Sequence, residues 1–274
     1  MTRLGFRLRR VSLSRGAYYS LIQHLRCLRK LNEGGCICIR LFLTFEDEDP
    51  LKHPELIATA AIPGGGELKL GQRGADFMIV LDRNELMSTR MSGSEEALAT
   101  MTCARLTKAR APKLLIGGYG MGFTLRAALA SLGAQAEVTV AELVPEILIW
   151  ARGPMRQLTG VALNDPRVRI VEGDVSRLIS SAVNAFDAIL LDVDNGPDGL
   201  TCPGNDWLYS GQGLAAAEAA LCPGGVLAVW SAAPDPAFVR SLGKAGFAVE
   251  EVAVRARSNG KGPRHVIWFA TKRR

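Results

Sequence analysis

The sequence predicts an α/β protein with a doubly wound, mostly parallel sheet, and three observations carry that expectation. Apolar strand-like runs near 113–118, 137–142, 168–172, 186–192 and 224–230 alternate with helical segments. The first run, KLLIGGYGMGFT, passes straight into Gly117, Gly118, Gly120 and Gly122, which reads as strand, tight turn and helix. Glu142 closes the second run, twenty residues past Gly122. Glycines let a backbone turn sharply and approach a ligand where a Cβ would clash, and a carboxylate at that offset meets ribose hydroxyls. A nucleotide-like ligand is expected over the bend.

Before this sheet, residues 51–106 read as a small β element with a linking helix. The short runs ELIATAAI, ELKLGQ, DFMIVLD and ELMST are separated by Pro63–Gly66, Gly71–Gly74 and Asp82–Asn84, the pattern of antiparallel strands with turns. Ser92 and Glu95 have capping-box spacing and are expected to open a helix running through Ala104 and Leu106. Residues 107–274 form the main domain, with helices expected near 122–132, 145–158, 175–183, 212–221 and 235–245. At the end, FAVEEVAVRAR and RHVIWFATK are joined only by residues 258–263, too few for a crossover helix, so they predict an antiparallel hairpin. A parallel sheet closed by such a hairpin is the Rossmann-like, seven-stranded class I methyltransferase architecture.

Composition limits what else the chain can be. With 274 residues, 48% of them apolar, it can bury a full core. No apolar run approaches the ~20 residues that span a bilayer, and the longest early candidate, Cys36 to Phe45, contains Arg40. No membrane partner is expected, and a cytoplasmic location follows. The six cysteines lack C-x-x-C spacing and there are only three histidines, so neither a metal site nor a disulfide framework is expected. The net charge of +6 resides at the start of the chain, where residues 1–40 hold nine Arg or Lys against Glu33 alone. The remainder is close to neutral and predicts no nucleic-acid groove. Residues 1–50 are read as a basic, disordered leader ending at Glu46–Pro50: a transit peptide, an electrostatic tail or a poorly structured extension.

Ligands in such sheets bind beyond the carboxyl ends of the strands. The acids there are Glu142, Asp174, Asp192 and Asp194, with Asp198 further on. Glycines recur at 118, 120 and 122, but Phe123 stands where a dinucleotide fingerprint needs glycine, and no Gly-Lys-Ser/Thr follows. An adenosine-bearing sulfonium cofactor therefore fits better than NAD or a nucleoside triphosphate. Tyr119 and Tyr209 are placed to line a pocket. Trp150, Trp230 and Trp268 read as core, and His265 as structural or exposed or, from its place at the sheet end, as a lesser candidate for a substrate role.

Across about residues 55–271 the chain resembles the spermidine synthase-like family, the polyamine aminopropyltransferases and their relatives. The resemblance rests on IGGYGMGFTLRAAL, VTVAELVPEI, DPRVRIVEGDV, FDAILLDVDNGPDG, LYSGQGL and ALCPGGVLAVW. It implies that Glu142 holds the ribose, Asp174 and Val175 the adenine edge, and Gly118, Gly120 and Gly122 the amino-acid-derived tail. Asp192 falls on the family's catalytic aspartate, with Asp194 beside it; Tyr119, Glu96, Asn195 and Tyr209 become candidates for substrate binding. The implied reaction moves an aminopropyl group from decarboxylated S-adenosylmethionine to an amine, with Asp192 as general base and no metal. Homodimerisation is implied by analogy. The chain departs from the family pattern at Met121 and at Asn195–Gly196, where the family carries aspartates. The family's Tyr and His after the N-terminal strands are absent from SGSEEALATM, which leaves Glu95 or Glu96. Methyl transfer from S-adenosylmethionine itself, or non-catalytic binding of a nucleoside or polyamine, are the other readings of the same pocket.

Overall fold

The computed structural model describes residues 54–273, apart from 64, 83, 107–109, 160, 194, 195 and 198–205. The basic leader therefore lies outside the described residues. Four short strands come first: β1 (Glu55–Ala61), β2 (Glu67–Arg73), β3 (Asp76–Leu81) and β4 (Asn84–Ser88). They form an antiparallel sheet in chain order. Its core-facing side carries Leu68, Leu70, Ile79 and Leu81 at cross-strand positions.

Helix α1 (Gly93–Arg105) follows, burying Ser94, Leu98, Ala99 and Thr102. The expected capping box does not form. Ser92 makes no side-chain cap bond, and Glu95 instead accepts a hydrogen bond from Ser94 Oγ at 2.6 Å. At the other end of α1, the Arg105 guanidinium lies 3.7 Å from the Phe269 ring centroid and pairs with Glu250 at 2.6 Å.

The second sheet has seven strands: β5 (Lys113–Gly117), β6 (Glu137–Glu142), β7 (Val168–Glu172), β8 (Phe186–Leu191), β9 (Leu221–Ser231), β10 (Ala248–Arg255) and β11 (Arg264–Thr271). Their order is β10-β11-β9-β8-β5-β6-β7. Only β11 runs against the rest, pairing antiparallel with both β9 and β10. The sheet is the one the sequence predicts, hairpin included. Strand order reverses between β5 and β8, so their carboxyl ends diverge there and open a crevice.

The crossovers are α2 (Phe123–Ser131), α3 (Pro145–Arg152), α4 (Arg156–Thr159), α5 (Val175–Ser181), α6 (Asp206–Tyr209), α7 (Gly211–Ala220) and α8 (Pro236–Lys244). One expectation is corrected: the helix read over 145–158 breaks at Gly153–Pro154 into α3 and α4. Proline has no N–H for an internal helical bond, and its ring clashes with the turn before it. The central strands are apolar throughout; Leu114, Leu115 and Ile116 of β5 and Ala188 to Leu190 of β8 are at most 1% exposed. Helices on both faces therefore bury them, giving one apolar cluster on each side of the sheet.

Candidate active site

A cleft of about 1130 Å³, counting its open mouth, lies at the carboxyl ends of β5, β6, β7 and β8. Its floor is Gly118, Tyr119 and Gly120; Ala141 to Val144 and Gly173 to Val175 make one wall; Asp192 and Val193 make another. The N-terminal sheet contributes Leu68, Leu86 and Met87, and α1 contributes Glu95.

Gly118 has φ +85°, and a Cβ built there would stand 2.5 Å from the Asp192 carbonyl oxygen. Glycine is thus required both by the left-handed backbone and by the passage of the β8 strand end. The same crossing fixes Asp192, whose N–H donates to Gly117 O at 3.0 Å.

Glu142 points back into the bend. Its Oε2 accepts from Tyr119 N–H and its Oε1 from Val144 N–H, both at 2.8 Å. Burial pushes its pKa up, while backbone N–H groups of Val144, Tyr119, Gly120 and Leu143 pull the other way. Each oxygen retains lone-pair capacity for a hydroxyl donor. Asp174 is the N-cap of α5, accepting from Ser176 N–H at 2.8 Å, and it lines the cleft with Val175. The nucleoside half of the predicted site is therefore brought together around one crevice. Gly122, by contrast, caps α2 at φ +71° beneath the Tyr119 hydroxyl and is not part of the lining.

The opposite end of the cleft holds a pair of acids. Asp192 Oδ2 accepts from Thr124 Oγ1 at 2.6 Å. Burial raises its pKa to about 6 despite that bond. Burial and the neighbouring Asp192 raise Glu95 to about 8. Two such carboxyls facing one cavity hold a proton at neutral pH, which suits them to exchange one with a ligand. Ser94 Oγ, besides bonding Glu95, lies 2.9 Å from His265 Nδ1. His265 also meets the Trp230 ring edge-on, with centroids 4.8 Å apart.

The remaining candidates divide between the lining and positions outside it. Glu96, one residue along α1, is not among the lining residues; Glu95 is. Tyr209 donates from its hydroxyl to Val193 O at 3.1 Å and packs on Phe238, behind the lining rather than in it. Tyr119 does line the cleft, its hydroxyl turned toward Thr159 O at 3.5 Å. Asp194 and Asn195 lie outside the described residues. Sequence reasoning missed Thr124 and Ser94; it offered Glu95 both as a cap and, beside Glu96, as a site acid, and took Glu96 as the substrate-binding candidate. The signal for Thr124 was its position, two residues after the last glycine of the bend.

Among the described residues, no three His, Cys, Asp or Glu side chains form a metal-holding group. No helix among them is long and apolar enough to cross a membrane.

Comparisons with known proteins agree with this geometry. No family model matches the chain. A polyamine aminopropyltransferase of Mycobacterium tuberculosis is 32% identical over 192 residues, 67% of this chain and 35% of the relative. Polyamine aminopropyltransferase 1 of Streptomyces coelicolor is 30% identical over 155 residues, 54% of this chain and 28% of the relative. The chain thus spans about a third of the length of the curated relatives it matches. Among solved structures, spermidine synthase from Thermotoga maritima aligns with TM-score 0.63 at 20% identity, covering 80% of this chain and 73% of that one. A spermidine synthase in complex with the transition state analogue AdoDATO aligns with TM-score 0.62 at 19% identity, covering 80% and 72%. At such identities the structures speak for a shared fold. Taken with the sequence matches, they support the chain's likeness to the spermidine synthase-like family.

Proposed function

We infer that the chain transfers an aminopropyl group from decarboxylated S-adenosylmethionine to an amine, with Asp192 taking the proton that the amine loses. The observation that carries this reading is the charge of the cleft. Glu95, Glu142, Asp174 and Asp192 line it, and among the described residues no Lys, Arg or His does. A wall of one sign in a low-dielectric crevice concentrates the opposite sign, and both a sulfonium donor and an ammonium acceptor are cations.

The residues present fit such a donor. Gly118 lines the cleft with bare backbone, Glu142 offers lone pairs to the sugar hydroxyls, and Asp174 with Val175 borders the place for an adenine ring. When bound, the donor supplies an electrophilic carbon and a neutral thioether leaving group. The protein's task is then position and proton removal. Thr124 holds one Asp192 oxygen, which leaves the other to take the acceptor's proton. The raised Asp192 pKa brings it closer to that of an ammonium ion, which strengthens it as a base. Leu68, Leu86 and Met87 add an apolar border to the cleft. Homodimerisation and a cytoplasmic site of action belong to the same reading.

A second reading, methyl transfer from S-adenosylmethionine itself, is favoured by one residue. Met121, 1% exposed and lining the cleft, gives an apolar side chain where the family carries an aspartate. The products separate the two. The full chain incubated with each donor and a panel of diamines is expected to yield methylthioadenosine and an aminopropylated amine from the decarboxylated donor. S-adenosylhomocysteine formed only from the carboxylated donor would replace the first reading by the second. Binding without either product would leave the non-catalytic reading.

A further inference from the structure

We propose that Ser94 and His265 form a proton exit from the acid pair, carrying the proton released at each turnover from Glu95 to solvent at the β11 end. The inference rests on the aminopropyl or methyl transfer reading of the cleft. It adds to that reading a route and two residues outside the lining.

Proton balance requires such a route. When an ammonium-form amine accepts a carbon from a sulfonium, one N–C bond forms and one C–S bond breaks, with the electron pair going to sulfur. The amine nitrogen ends as an ammonium again, and one proton is left behind. Asp192 and Glu95, which line the cleft, receive it while the products still occupy the cleft. It must reach water before the next turnover.

The geometry supplies a continuous line. Glu95 Oε2 is 2.6 Å from Ser94 Oγ, and Ser94 Oγ is 2.9 Å from His265 Nδ1. Ser94 is 0% exposed, whereas His265 is only half-buried. The line thus runs from inside to outside through a hydroxyl that can donate in one direction and accept from the other. In its loaded state the Glu95 carboxyl donates to Ser94, and Ser94 donates to Nδ1. In its discharged state both bonds point the other way: Nδ1–H donates to Ser94 and Ser94 to the carboxylate. Passing between the two moves one proton from Glu95 to the imidazole, whose Nε2 proton then leaves to water.

The fold builds this line on purpose-made contacts. The turn after β10 approaches the start of α1 so closely that a Cβ on Gly93 would stand 2.4 Å from the Arg257 carbonyl carbon. Gly93 N–H donates to Ala256 O at 2.8 Å, which sets Ser94 opposite β11. The groups facing the line are few. Glu95 faces Asp192 beyond β8 and has Glu96 on its own helix. His265 faces Trp230 of β9, pairs across with Val254 of β10, and follows Arg264 in the chain. Burial lowers its pKa, so it is neutral and ready to accept at pH 7.

Two readouts on the full chain test the proposal. The first needs no turnover: nitrogen NMR of the labelled protein reports the His265 tautomer, assigned by loss of its signals in His265→Asn. Nε2–H is expected below the Glu95 midpoint of about 8 and Nδ1–H above it, and the switch should vanish in both Glu95→Gln and Ser94→Ala. A tautomer that stays constant through that range, or a switch that survives in Ser94→Ala, overturns the line. The second is kinetic. Ser94→Ala and His265→Asn should lower kcat roughly 10-fold at unchanged KM, short of the ~10²-fold for losing a base outright, and added imidazole should restore His265→Asn. Full kcat in both variants overturns the exit role even where the tautomer switches. If the wild type turns over no amine with either donor, the transfer reading fails by itself, and the tautomer readout alone decides whether the line exists.

Discussion

The two ends of the cleft are held by different materials. At the nucleoside end, backbone does the work: Gly118 and Gly120 in left-handed conformations, amide hydrogens from Tyr119 and Val144 on Glu142, and a helix N-cap at Asp174. At the acceptor end, side chains bond to side chains across long stretches of sequence, Thr124 to Asp192 and Ser94 to His265, 68 and 171 residues apart. The first end is a property of the sheet and follows wherever the strand ends go. The second depends on single atoms and on their protons. Mutations that alter shape should therefore be felt at the first end, and mutations that alter charge at the second.

The sharpest break in that contrast is Asp192→Asn. It keeps the Thr124 bond and the packing but removes the base. Turnover should fall by about 10²- to 10⁴-fold while donor affinity stays within a few-fold, as steady-state kinetics and a parallel donor titration would show. Unaltered turnover would mean that the acceptor end is not where the proton goes.

Next in size is Glu142→Ala at the other end. Two hydrogen bonds to a carboxylate, each worth about 1.5–3 kcal/mol, should be lost to the sugar, lowering nucleoside affinity at least ~100-fold. Calorimetric titration with methylthioadenosine would measure it. The same change frees the Tyr119 and Val144 amides, so the melting temperature should fall as well.

Gly118→Ala tests shape alone. The left-handed backbone and the 2.5 Å approach to the Asp192 carbonyl should together cost roughly 2 kcal/mol or more of unfolding free energy in a denaturant titration. Gly133→Ala, whose Cβ would meet nothing within 4 Å, is the control and should change little.

The smallest effect concerns pH. Burial raises the folded pKa values of Asp192 and Glu95 to about 6 and 8, above the ordinary 3.8 and 4.5 of these side chains. The native state therefore holds more protons than the unfolded chain between those limits, and stability falls as pH rises from roughly 4 to 8. Melting curves of Glu95→Gln should lose much of that slope. Activity should move the opposite way, rising as Asp192 gives up its proton near pH 6.

This division also explains what could be read from the chain. Glycine spacing, strand-end acids and βα alternation are local, so the sheet, the bend and the positions of Glu142, Asp174 and Asp192 were legible in the order of residues. The terminal hairpin was legible because six residues cannot hold a crossover helix. The choice of Glu95 over Glu96 was not, since Ser92–Glu95 also has the spacing of a cap, and the approach of residues 256–258 to Gly93 is not written near them in the chain. The partner of His265 was not either, because nothing near it in the chain announces Ser94. The break at Gly153–Pro154 was visible as a dipeptide, yet the apolar spacing of ILIWA ran up to it and suggested continuation.

The account stands on an adenosine lying across Gly118 with its sugar on Glu142. A crystal structure of the full chain grown with methylthioadenosine tests this most directly. The expected result places both ribose hydroxyls within hydrogen-bond distance of the Glu142 carboxylate and the adenine edge beside Asp174 and Val175. A nucleoside bound anywhere else, or a Glu142 still committed only to its own backbone amides beneath it, would contradict the account.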